Sequence, residues 1–322
     1  MTIIASSTTP FEVEPRSLSV AALEWLGEQG FLSPEPQSPL AFLRQQESRI
    51  GSPDRHAAGA DLLRRGLVSA SWSPEVRRRR LLDSGPLGAS LKILERPEAR
   101  LRIGIGAPES PVRITDLYLA GGEAVLGALD DEALYLGATI PRDRLIDYLV
   151  DELAASGDSD AFCLWPMLYR LTTALWPSCG REPRAEISID DIEARAPGQS
   201  ASLVEQMLAA DLVARRGDRL ALTDHHRRWL EPLWSGHVFE IERTPMEPWN
   251  GGREDRCLFV GSPGERVLCE EVPSHQLLGD GHAGFPEDHL LLLTCPGRSE
   301  LTARLAQLLD DCSPVPASLS VQ

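Results

Sequence analysis

Three stretches of this chain of 322 residues hold side chains whose types and spacing could do chemistry. LVARRGDRLALTDHHRRWL, Leu212 to Leu230, has the pattern of the end of a DNA-binding winged helix: a helix running out at Leu212-Val213, a tight turn at Gly217-Asp218, a short strand, and a helix capped by Thr223-Asp224. SPEVRRRRLLDSG sets Arg77, Arg78, Arg79 and Arg80 in a row after Arg64 and Arg65; between Arg55 and Arg80 there are seven arginines and two acidic residues, Asp61 and Glu75. Such a cluster could meet phosphate or an acidic partner, yet four consecutive arginines on a helix point in all directions, so most are expected in solvent. His275, His282 and His289 recur every seven residues, flanked by Cys269 and Cys295. Gly279, Gly281, Gly284 and Pro286 break that segment, so no helix aligns the imidazoles, and a polar loop between two strands is expected instead of a metal site.

Catalytic signatures are missing from the rest of the chain. There is no GxSxG elbow, no GxxxxGK[ST] loop, and no GxGxxG opening a helix. IGIGAP, Ile103 to Pro108, carries a lone GxG at a strand end, with Pro108 and Pro111 after it. Asp130-Asp131 sits in a turn and Asp310-Asp311 near the chain end, where carboxylates keep a surface wet. The expectation is a non-enzyme, with no catalytic residue, no cofactor and no metal.

Charge narrows the partners further. The formal net charge is −16, and a duplex repels an acidic protein unless a local basic face overrides the field. The helix expected to read a groove, SASLVEQMLAADLV from Ser200 to Val213, has no Arg or Lys and carries Glu205 and Asp211. From Glu186 to Glu231 nine acidic residues face six arginines. Nucleic acid is therefore disfavoured; a winged-helix DNA-binding regulator or scaffold using the arginine cluster at 64–80 is the alternative. The start MTIIASSTTPFEVEP lacks a basic segment followed by an apolar core, and no apolar run approaches the roughly 18 residues of a membrane span, so a cytoplasmic protein is expected. Six cysteines without a CxxC pair, several in apolar strings such as RCLFVG and LLLLTC, read as small buried side chains on strands.

The elements that would position these residues recur. LLRRGLV (Leu62 to Val68), a helix at Leu87 to Pro97 and an alternating strand at Ala99 to Ala107 match, in order, QMLAADLV (Gln206 to Val213), the helix Asp224 to Leu233 and the strand His237 to Thr244. Three β-rich segments broken at Gly121-Gly122 and Asp130-Asp131 correspond to RCLFVGSPGERVLCEE and HLLLLTC. Each half then closes with an amphipathic helix, through Leu145, Ile146, Leu149, Val150 and Leu153 in one and Leu301, Leu305, Leu308 and Leu309 in the other. The expected fold class is α+β, with two pseudo-repeated subdomains, each a winged-helix-like helical head, an antiparallel sheet of about four strands and a C-terminal helix. The boundaries expected are a flexible tail at 1–17, a first half at 18–156, an apolar crossover at 157–187 holding Trp165, Tyr169 and Trp176, a second half at 188–312, and a tail at 313–322.

The run AGADLLRRGLVSASWSPEVRRRRLLDSGPLGASLKILERPEARLRIGIG, with the meander and the helix PRDRLIDYLVDEL after it, resembles the EspG-like proteins of actinobacterial type VII (ESX) secretion systems. The pieces that match are Arg65-Gly66-Leu67-Val68, Ser73-Pro74-Glu75 and Arg96-Pro97-Glu98. The resemblance covers most of residues 55–155 and, more weakly, 200–311. It implies two quasi-symmetric α+β subdomains and a cytosolic chaperone that holds the hydrophobic tip of a secreted helical client. The loops PMEPWNGGRED and PSHQLLGDGHAGFPEDH have no counterpart in it, and no client-binding residue carries over. Under an adaptor or chaperone reading, Trp249 and Phe285 in Pro- and Gly-rich loops, with Arg77 and Arg78, are the candidate contacts for a protein partner, since exposed aromatics and arginines anchor interfaces; the alternative is that Trp249 and Phe285 fold back as loop plugs.

Overall fold

The computed structural model describes residues 16–44, 51–68, 86–153, 160–164, 186–209, 211–246, 255–263, 266–273 and 289–310. The chain divides into two compact units. Met1–Ile103, Thr115–Tyr148 and Glu242–Asp255 make the first; Gly104–Ile114, Leu149–Ile241 and Arg256–Gln322 make the second. The fold is α+β with antiparallel sheets.

In the first unit the strands hydrogen-bond in the order β1 (Arg16–Ser19), β5 (Ala133–Pro141), β4 (Glu123–Leu129), β3 (Arg113–Ala120), β2 (Ala99–Gly106). Gly121 and Gly122, both left-handed at φ 59° and 79°, close the β3–β4 hairpin between paired Ala120 and Glu123, a conformation that a side chain resists. At the β4–β5 turn the Asp130 carboxylate accepts the backbone N–H groups of Glu132 and Ala133 at 2.8 and 2.7 Å. Helix α1 (Val20–Glu28) starts where Ser19 Oγ accepts the Ala22 N–H. Its Leu23, Trp25 and Leu26 share a core with Leu62 of α2 (Ser52–Arg64), Leu91 and Leu94 of α3 (Pro86–Glu95), and Val125, Leu134 and Leu136 of the sheet. Gly59 on α2 lies directly beneath the Trp25 indole, where any Cβ would fall inside the ring system.

The second unit orders its strands β10 (Val238–Pro245), β11 (Asp255–Val260), β12 (Val267–Pro273), β13 (His289–Cys295), β6 (Asp160–Leu164). Helix α8 (Arg298–Asp310) buries Leu301, Leu305, Leu308 and Leu309, and its Arg304 pairs with Glu270 on β12. A separate three-stranded sheet, β7 (Glu186–Ser188), β9 (Arg219–Leu222), β8 (Val213–Arg216), joins α5 (Ile189–Arg195) and α6 (Ser200–Ala209) in a winged-helix-like arrangement. Ser188 and Asp191 form a reciprocal capping box at the start of α5. Ile187, Ile192, Leu203, Met207, Leu220 and Leu230 fill its core. Helix α7 (Asp224–Trp234) serves two cores at once: Leu230 belongs to the winged helix, while Trp229 packs on Val267 and Leu293 of the larger sheet.

Several boundaries differ from the sequence reading. Arg16 and Ser17, expected in the 1–17 tail, belong to β1 and pair with Leu136 and Tyr135 of β5. Residues 160–164 of the expected crossover form β6 against β13, and Glu186 and Ile187 begin β7; the crossover aromatics Trp165, Tyr169 and Trp176 lie outside the described residues. Each main sheet run therefore gains a fifth strand. The groove-reading helix stops at Ala209 rather than Val213, because Asp211 adopts the left-handed region at φ 53° and the chain turns into β8. Thr223 Oγ1 donates to the Asp211 carbonyl at 2.9 Å, which pins that turn. In the second half two short helices, α5 and α6, precede the β8–β9 hairpin; in the first, the described residues before β2 give helices and β1.

Candidate partner-binding site

Strand alternation separates two kinds of side chain on the second unit's strands. On β10, Phe239 and Ile241 are buried, while Val238 points the other way; on β11, Cys257 and Phe259 are buried in step with them. Phe239 and Phe259 meet edge to face at 6.5 Å, and the Arg266 guanidinium lies 4.8 Å over the Phe239 ring. On the opposite face Glu240 pairs with Arg256.

That opposite face carries an apolar patch. Val112 is 64% exposed, Ile114 55% and Val238 36%. They are three of the five exposed large apolar side chains among the described residues. Gly106 lies between two of them: a Cβ there would sit 3.7 Å from Val238 Cβ and 3.8 Å from Val112 Cγ2. Ile114 lies near the start of β3, two residues after Val112. Ile114 and Val238 are held on strands and Val112 stands just before β3; β-branched side chains such as these lose little rotamer freedom on contact, which suits an interface.

The candidate residues chosen from sequence, Trp249, Phe285, Arg77 and Arg78, lie outside the described residues, as do Arg79, Arg80, His275 and His282. Arg64 and Arg65 both pair with Asp61 of the same helix, Arg65 at 3.2 Å, so part of the arginine cluster is spent on α2 itself. Those two guanidinium groups hold the Asp61 carboxyl below its usual range. His289 opens β13 opposite Pro273. Cys257 is buried on β11, and Cys269 and Cys295 are half-buried beside Trp229, Val267 and Leu293. No group of three or more potential metal-binding side chains occurs among the described residues.

The winged helix does not present a basic reading face. The exposed residues of α6 are Ala201, Ser202, Glu205, Gln206 and Ala209. Its exposed arginines lie on the wing, at Arg215, Arg216 and Arg219, and on α7, at Arg228. The sequence reading missed the Val112, Ile114 and Val238 patch, because alternation assigns apolar residues to a strand without showing which face stays uncovered.

No protein-family model matches this chain, and no curated protein matches it. Among solved structures it is similar to the Mycobacterium tuberculosis type VII secretion system chaperone EspG5 in complex with a PE25-PPE41 dimer. That match covers 92% of this chain and 96% of the other, with 10% sequence identity and a TM-score of 0.42. The resemblance to EspG-like proteins is thus weak at the level of structure as well. No helix among the described residues is long and apolar enough to cross a membrane.

Proposed function

We propose that this protein is a non-enzymatic cytoplasmic adaptor or chaperone that binds a protein client, a secreted helical protein of the type VII class, and that the Val112, Ile114 and Val238 patch receives it. The observation that carries the reading is that patch: aliphatic side chains on β3, on β10 and on the segment before β3, left exposed beside a well-sealed core. A client that buries them gains hydrophobic free energy on the order of 25 cal/mol for each Å² removed from water. The chain's acidic balance, −16, favours a client with basic residues around its apolar tip. Trp249 and Phe285 are proposed as further contacts, and the two halves as copies of one ancestral plan.

The test is capture from a native lysate by the full chain and by a variant carrying Val112→Glu and Ile114→Glu, with bound proteins identified by mass. Wild type is expected to retain a small helical secreted protein, and the variant to lose it. Equal capture by both would sink the assignment of the patch. Consistent isolation without any client would sink the chaperone reading itself.

A further inference from the structure

Two thiols of the second unit share one apolar cluster. Cys269 on β12 and Cys295 on β13 are both half-buried, and both pack against Trp229, Val267 and Leu293. The strand register brings them there. Cys269 lies opposite Leu293, and Cys295 stands two residues further along β13, so the two side chains leave the same face as diagonal neighbours. Cys257 does not join them: Val260 packs on this cluster, whereas Cys257, three residues earlier on β11, turns to the other face with Phe259.

Spacing decides what two such sulfurs can do. Diagonal neighbours on adjacent antiparallel strands lie about 7–8 Å apart, with their Cβ atoms somewhat closer. A disulfide needs Cβ atoms about 3.5–4.5 Å apart, so closing one here requires the backbone to move. A metal ion held at about 2.3 Å from each sulfur spans the remaining gap. Zinc takes four ligands, and no group of three or more potential metal-binding side chains occurs among the described residues. A soft monovalent ion is satisfied by two thiolates, and the apolar side chains around them hold water away from it. We propose that Cys269 and Cys295 hold an ion of the copper(I) class between their sulfurs, on the sheet face against which Trp229 of α7 packs. Each thiol releases its proton to solvent as the metal–sulfur bond forms, and the metal keeps its oxidation state.

The test uses the full reduced chain under anaerobic conditions, with copper(I) supplied from a chromogenic chelator. The variant with Cys269→Ser and Cys295→Ser should withdraw one copper fewer per chain than wild type. Either single substitution should do the same, since an ion left on one thiolate returns to the chelator. In wild type, bound copper should shield Cys269 and Cys295 from alkylation, read by peptide mapping, a measurement that stands even where a variant folds poorly. No copper withdrawn by wild type, equal withdrawal by wild type and double variant, or alkylation of the two cysteines unchanged by copper would each overturn the proposal. Rapid formation of a Cys269–Cys295 disulfide under mild oxidation with diamide would overturn it in favour of a redox pair.

Discussion

Gly59 in the first unit and Gly106 in the second are both glycines next to large apolar side chains, and they do opposite things. Gly59 exists because the Trp25 ring occupies the space where its Cβ would be, so α1 and α2 can close only over a bare backbone. Trp25 in turn stacks on Phe31 at 5.8 Å, and the head is sealed. Gly106 has room for a Cβ at ordinary contact distance from Val112 and Val238, and those two side chains remain in water. One apolar cluster is finished within its own unit; the other is left open on a sheet face. A surface that the fold could have covered, and did not, is the place to look for a partner.

Mutations can break or sharpen that contrast. The largest losses belong to the sealed head. Trp25→Ala removes the indole from its core and should cost about 3–5 kcal/mol in denaturant unfolding. Gly59→Ala should cost about 3 kcal/mol, since no rotamer of a methyl group escapes the indole. A Gly59→Ala protein as stable as wild type would show that α1 and α2 do not close as described.

Next comes Glu95, buried at the end of α3, whose carboxylate accepts the Ser33 N–H at 2.5 Å. Glu95→Ala leaves that donor stranded beneath the head and should cost about 1–3 kcal/mol by the same measurement. Gly106→Ala, by contrast, should change stability by less than about 1 kcal/mol, because its new methyl group meets only ordinary contacts.

The smallest effect is a pH dependence at the β4–β5 turn. The backbone N–H groups of Ala133 and Glu132 hold the Asp130 carboxyl below the usual aspartate range. A carboxyl lowered in the folded state contributes stability that is present above the unfolded value and is lost as pH falls through the folded one. Acid unfolding of Asp130→Ala should therefore show a shallower loss below about pH 4 than wild type, visible in melting temperature against pH.

Much of the fold was legible because its elements are long and periodic. The strands β2 to β5 and β10 to β13, and the closing helices α4 (Arg142–Leu153) and α8, follow from alternation and from leucines at helical spacing. β1 was not legible: RSLS is four residues in a Ser- and Thr-rich stretch, and only its pairing with distant β5 makes it a strand. The early end of α6 depended on Asp211 entering the left-handed region, which Asp tolerates without announcing it. The β8–β9 hairpin was readable from Gly217 and its neighbours, whereas the open patch was not. Val112, Ile114 and Val238 look in sequence like any strand residues, and their exposure is decided by which helices cover which face.

The most direct test of the account compares stability and client capture in the Val112→Glu, Ile114→Glu variant. An uncovered patch predicts an unfolding free energy within about 0.5 kcal/mol of wild type, as for surface substitutions, together with loss of the captured helical client. A variant that unfolds several kcal/mol more easily, or one that keeps its client, would contradict the claim that this face is held open for a partner.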